Sequence, residues 1–82
     1  MSLEEFKIGD HVLFKYNHKV SLFRIMHEDK STYYVDIIYS EYDVIYKTKT
    51  DKGFPLFKDI NLNISLASQE IINYYSKLAT FQ

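Results

Sequence analysis

Thr32-Tyr33-Tyr34-Val35-Asp36-Ile37-Ile38-Tyr39 decides how the rest of the chain is read. Tyr33, Val35, Ile37 and Tyr39 alternate with Tyr34, Asp36 and Ile38, the period of two that an extended strand imposes. Its β-branched and aromatic residues favour a strand over a helix. Both alternating sets are partly apolar, as a strand in the middle of a sheet requires. Tyr33 and Tyr39 read as core or barrel-wall residues.

On the N-terminal side, Asp29-Lys30-Ser31 is a turn, and Val20 to Glu28 reads as a strand over 20–28. There Ser21, Phe23, Ile25 and His27 oppose Val20, Leu22, Arg24 and Met26, with Phe23 and Ile25 pointing inward. Asn17-His18-Lys19 is a polar break, and Asn tolerates left-handed turn conformations. Gly9-Asp10 opens a strand over 11–16, with Val12, Phe14 and Tyr16 on one face and His11, Leu13 and Lys15 on the other.

On the C-terminal side, Ser40-Glu41-Tyr42-Asp43 closes the hairpin, and Val44 to Thr50 predicts a fourth strand over 44–50. Asp51-Lys52-Gly53-Phe54-Pro55 reads as a loop. Ile60-Asn61-Leu62-Asn63-Ile64 alternates strictly and predicts a short strand over 60–64. The period then changes. Ile71, Tyr75 and Leu78, flanked by Ile72 and Ala79, form one helical stripe and predict a helix over 68–80, and Tyr74 lies beside the stripe and could extend it outward. Ser65 or Ser68 can cap the helix. Glu70 in its first turn and Lys77 near its last suit the helix dipole.

The 82 residues allow one domain, 1–82. Apolar residues make up 46% and the net charge is −1, a balance that excludes a disordered chain. Without Cys there is no disulfide framework and no Cys-based zinc site. A domain this small buries only about 60% of its unfolded surface, so its core must be dense. Nine Ile, seven Leu, four Val and fourteen aromatics supply it. A homodimer would also relieve the shortage of buried area. The acidic start Met1-Ser2-Leu3-Glu4-Glu5 has no apolar signal region, and no apolar run approaches the roughly 20 residues of a membrane span. The expected compartment is the cytoplasm.

Little in the chain points to a reaction. His27-Glu28-Asp29 groups one imidazole with two carboxylates, and a metal there would need His11 or His18 as a further ligand. A solvated turn accounts for the same residues. No serine lies in a nucleophile elbow, and two glycines make no phosphate-cradling loop. We therefore expect no enzyme, no metal and no cofactor.

Two surfaces remain. The tyrosines are in excess, and Tyr34, Tyr42 and Tyr46 fall on or near one face as a candidate protein interface. Lys47, Lys49 and Lys52, with Phe54 just beyond, interleave cations and rings as single-stranded nucleic acid would require. Lysines on an edge strand also block aggregation, and the near-neutral chain attracts no polyanion at long range.

The segment Ile8-Gly9-Asp10-His11-Val12-Leu13-Phe14-Lys15-Tyr16 resembles the opening of SH3-like small barrels, where a Gly-Asp turn starts the first strand. Phe, Tyr, Met, Ile, Asn and Lys, with their AT-rich codons, are abundant, and the short neutral chain resembles the small proteins of tailed phages or prophages of low-GC Gram-positive bacteria. That resemblance implies an accessory protein binding a host or phage protein in the host cytoplasm. The sequence thus predicts a mainly β (α+β) fold: five antiparallel strands, as an SH3-like barrel or a strongly curled sheet, packed against one C-terminal helix. It predicts a non-enzymatic interaction module, with nucleic-acid binding as the second reading.

Overall fold

The computed structural model describes residues 6–42, 49–58 and 64–80. Among the described residues five strands precede one helix: β1 (His11–Tyr16), β2 (Lys19–Glu28), β3 (Thr32–Ser40), β4 (Phe54–Phe57), β5 (Ile64–Leu66) and α1 (Gln69–Thr80). The strands form one antiparallel sheet in the order β4-β3-β2-β1-β5. β4 and β5 are its two edges and do not pair with each other, so the sheet is open. Of the barrel and open forms expected, the open sheet with a C-terminal helix is present.

Asn17 and His18, at φ 51° and 63°, form the two-residue link between β1 and β2. Two left-handed residues there give the turn whose twist matches a hairpin. Tyr16 faces Lys19 across it, and the register runs unbroken to His11 opposite Arg24. Asp29 closes the β2–β3 link. Its Oδ1 accepts the Ser31 and Thr32 N–H groups at 3.0 and 2.9 Å.

The β2–β3 pairing is not regular. Leu22 faces Tyr39 but Phe23 faces Ile37, which leaves Ile38 as an extra residue. Ile25 faces Val35 but His27 faces Tyr34, which leaves Met26 extra on the other strand. Each bulge breaks the period of two. Tyr39 therefore leaves the side of Ile37 for that of Leu22, and His27 leaves the side of Ile25 for that of Tyr34. Strict alternation placed both residues on the opposite face.

Two apolar faces result. One holds the main core: Phe6, Val12, Phe23, Ile25, Tyr33 and Val35 are buried, with Phe14, Ile37, Phe54, Leu56 and Ile64 packed around them. Phe6 lies edge-on to the Tyr33 ring, and its N–H donates to the Tyr33 hydroxyl at 3.3 Å. Across the other face runs the row Ser65, Leu13, Leu22, Tyr39. Leu13 and Leu22 are buried there outside the main cluster. The helix follows β5 at one edge and packs on β3, three strands away, on the same side as this row. Tyr75 of the helix meets the Tyr39 ring at 5.1 Å between centroids. Ser68 is the cap, its Oγ accepting the Ile71 N–H at 3.3 Å, while Ser65 belongs to β5.

Phe54-Pro55 lies in a strand, where the sequence suggested a loop. The Lys58 N–H donates to the Ser31 carbonyl at 2.8 Å. By alternation, Leu56 and Phe54 bond β3, and Pro55, opposite Tyr34, turns its nitrogen outward. An edge strand can hold a proline there without losing a ladder bond. Of the strand expected over 44–50, residues 43–48 lie outside the described residues, and Thr50 makes only an isolated bridge to Gly53. Of the strand expected over 60–64, only Ile64 is described, as the first residue of β5.

Gly53 has φ 126°, and a Cβ there would stand 2.8 Å from the carbonyl oxygen of buried Val35. Gly9, at φ 96°, has open space around the same position. Gly53→Ala is expected to lose about 2–3 kcal/mol in denaturant unfolding and Gly9→Ala about 1 kcal/mol. His18→Gly, relieving the left-handed conformation of a non-glycine residue, should gain about 0.5 kcal/mol and raise Tm by a few degrees.

Candidate interaction surface

The structure separates the three candidate tyrosines. Tyr34 lies on the helix-bearing face of β3, while Tyr42 packs on Phe14 of the core face at 5.8 Å. The two rings lie on opposite faces of the sheet and at opposite ends of β3, so they share no patch. Tyr46 lies outside the described residues.

Both rings have local tasks. The Tyr42 hydroxyl donates to the carbonyls of Tyr16 and Lys19, tying the β1–β2 turn to the end of β3. The Tyr34 hydroxyl donates to Asp29 Oδ2 at 3.1 Å, and its ring meets His27 at 5.9 Å. Asp29 is held below the ordinary carboxylate range, first by the Ser31 N–H and further by Tyr34, Thr32 and the Lys52 charge. The bond to Asp29 raises the Tyr34 phenol in return.

The basic residues gather at the β4 side. Lys49 stands over the Phe54 ring and Lys52 over the Tyr34 ring, each at 5.8 Å. Lys58 lies 4.6 Å from the Tyr33 centroid and pairs with Glu28. That pair, chiefly its hydrogen bond, raises the Lys58 ammonium above its usual value. Lys47 lies outside the described residues. The structure thus sets Lys49 with Phe54 on the core side of the β4 edge and Lys52 with Tyr34 on its helix-bearing side, a placement that requires β4 to be a strand.

The helix shows a surface that sequence reading valued too little. None of its residues is buried. Ile71, Ile72, Tyr75, Leu78 and Ala79 stay half-buried, and Tyr74, 60% exposed, stands edge-on to Tyr75 at 5.0 Å. Tyr39, Tyr75 and Tyr74 form a run of rings from sheet to solvent. Phe57 is 49% exposed on the same side of the sheet as Tyr34. The signal for this surface was Tyr74 beside the apolar stripe.

The histidines are dispersed. His18 is in the β1–β2 turn, His11 opens β1 and His27 lies near the end of β2. Among the described residues no three His, Asp or Glu side chains gather to hold a metal ion. Among the same residues no helix is long and apolar enough to cross a membrane.

Asp29 gives a pH prediction with a definite sign. Its folded-state pKa is depressed, so its contribution is present above the ordinary carboxylate value and fades as pH falls through the lower folded value. Asp29→Asn should therefore flatten the decline of Tm between about pH 5 and pH 2. An unchanged acid limb in thermal melts would remove Asp29 from that role.

No protein-family model matches the chain, and comparison with the curated proteins and with solved structures gives no match either.

Proposed function

We propose that this domain is a non-enzymatic interaction module that works by protein–protein contact. The observation that carries the reading is the helix. A 12-residue helix is marginal alone and depends on burying its apolar face. Here the stripe is left half-covered, with Tyr74 beside it. A partner laid against the helix-bearing face would complete that burial. Tyr74 would be an anchor, and Tyr34 and Phe57 would flank it on the same side of the sheet. Tyr42 takes no part, because its ring packs on Phe14 and its hydroxyl holds the turn. Large amphipathic rings suit such contacts. The chain's size and composition are in keeping with an accessory protein of a phage, meeting a host or phage protein in the cytoplasm of a low-GC Gram-positive cell.

Nucleic-acid binding is the second reading, favoured by Lys49 over Phe54 and Lys52 over Tyr34. Weighing against it, each ammonium already occupies a ring face on which a base would stack, and Asp29 and Glu28 bond into the same neighbourhood.

Affinity capture from a low-GC Gram-positive lysate, followed by mass spectrometry, tests the choice. The wild-type domain should retain a defined protein, and Tyr74→Ser with Phe57→Ser should lose it without a fall in Tm. Retention should change little between about 50 and 200 mM salt, where nucleic-acid affinity falls steeply. Recovery of nucleic acid only, or of nothing, overturns the protein-contact reading.

A further inference from the structure

We propose that two copies of this chain join through their β5 edges, adding strand to strand across a two-fold axis at Ser65. The inference is independent of the partner surface on the helix side. It rests on which way the backbone groups of each edge strand point.

The Ala67 N–H donates to the His11 carbonyl at 2.9 Å, which makes His11 and Ala67 a hydrogen-bonded pair. Antiparallel pairs alternate between bonded and non-bonded. The register continues through Val12–Leu66, Leu13–Ser65 and Phe14–Ile64, so Leu13–Ser65 is the next bonded pair. Ser65 therefore spends its N–H and C=O on β1. Those of Ile64 and Leu66 point away from the sheet, and no described strand lies beyond them.

The two edges differ in kind. On β4 the outward position Pro55 has no N–H to offer, and Lys52 and Lys58 stand close by. These are the ordinary means of blocking an edge. β5 has neither proline nor charge: it reads Ile64-Ser65-Leu66, and Leu66 is 60% exposed.

The sequence of β5 is complementary to itself. Antiparallel pairing centred on Ser65 sets Ile64 of each copy opposite Leu66 of the other. These are the residues with outward N–H and C=O groups, so the two pairs close four backbone hydrogen bonds. The side chains agree with the backbone. Ile64 and Leu66 lie on the core side of the sheet, opposite Phe14 and Val12. Each exposed Leu66 would be covered by Ile64 of the second copy. The two Ser65 side chains would meet at the axis on the helix side, in the closely spaced non-bonded pair. No charge opposes a like charge. The axis stands normal to the sheet, so both helices fall on one side of a continuous ten-stranded sheet, and the contact closes as an isologous dimer.

Sedimentation of the full chain over a concentration series, up to about 1 mM, should show a monomer–dimer equilibrium. Leu66→Pro removes only an outward N–H, as Pro55 does in β4, and Leu66→Lys places two cations beside the axis. Each should weaken dimerisation by at least about tenfold, with Tm of the dilute protein little changed. Hydrogen exchange on the wild-type chain needs no variant. The Ile64 and Leu66 amides should exchange fast in dilute solution and slow as concentration rises, while the Ser65 amide stays protected throughout. A wild-type chain that is monomeric at every concentration overturns the proposal. So does a dimer that survives both substitutions, or Ile64 and Leu66 amides that exchange fast in a concentrated sample.

Discussion

The pairing of β2 with β3 sets what every other element does. These are the longest strands, and one bulge on each changes which side chains share a face. Between the bulges, Phe23 and Ile25 meet Ile37 and Val35 in regular register and build the main core. Beyond the Ile38 bulge, Tyr39 turns to the opposite side and joins Leu22. That turn gives the second face a ring for Tyr75 and hence gives the helix somewhere to pack. Beyond the Met26 bulge, His27 and Tyr34 come together on the helix-bearing side. A regular ladder would have placed Tyr39 on the core side and set Ile38 opposite Leu22 on the helix face, with no ring there for Tyr75.

A one-sheet domain of this size has two faces to cover and few residues with which to do it. The core face is closed by Phe6 from before β1 and by large rings around it. On the other face, where Leu13 and Leu22 are buried, the helix packs on β3 and buries none of its own residues. Polar side chains are used to fix turns: Asp29 and Tyr34 at one end, Tyr42 at the other, and the Ser21 and Ser40 hydroxyls, 2.8 Å apart, between β2 and β3. Stability and surface chemistry thus draw on the same tyrosines. A hydroxyl committed to a turn leaves its ring less free for a partner.

Much of the fold was legible because it rests on period. β1, β2, β3 and the helix each carry a pattern of two or of 3.6 long enough to read, and their ends fall within a residue of expectation. β4 was not legible. Gly53 and Pro55 are loop residues in most settings, and only the outward direction of the Pro55 nitrogen lets the strand keep its ladder. The bulges left no mark either, since neither Met26 nor Ile38 is a glycine. Faces were therefore read correctly up to each bulge and inverted after it. The candidate site suffered from the same cause. Tyr34 and Tyr42 look alike in sequence, yet one is on the helix side and the other on the core side. Tyr74 was visible beside the stripe, but how little of the helix is buried depends on packing that no periodicity reports.

Through-space proton contacts around the Tyr39 ring in the NMR spectrum of the full chain test the bulged pairing most directly. The bulged pairing predicts contacts from Tyr39 to Leu22 and to the Tyr75 ring. Contacts from Tyr39 to Ser21 and Phe14, with Ile38 opposite Leu22, would mean an unbroken ladder and would contradict it.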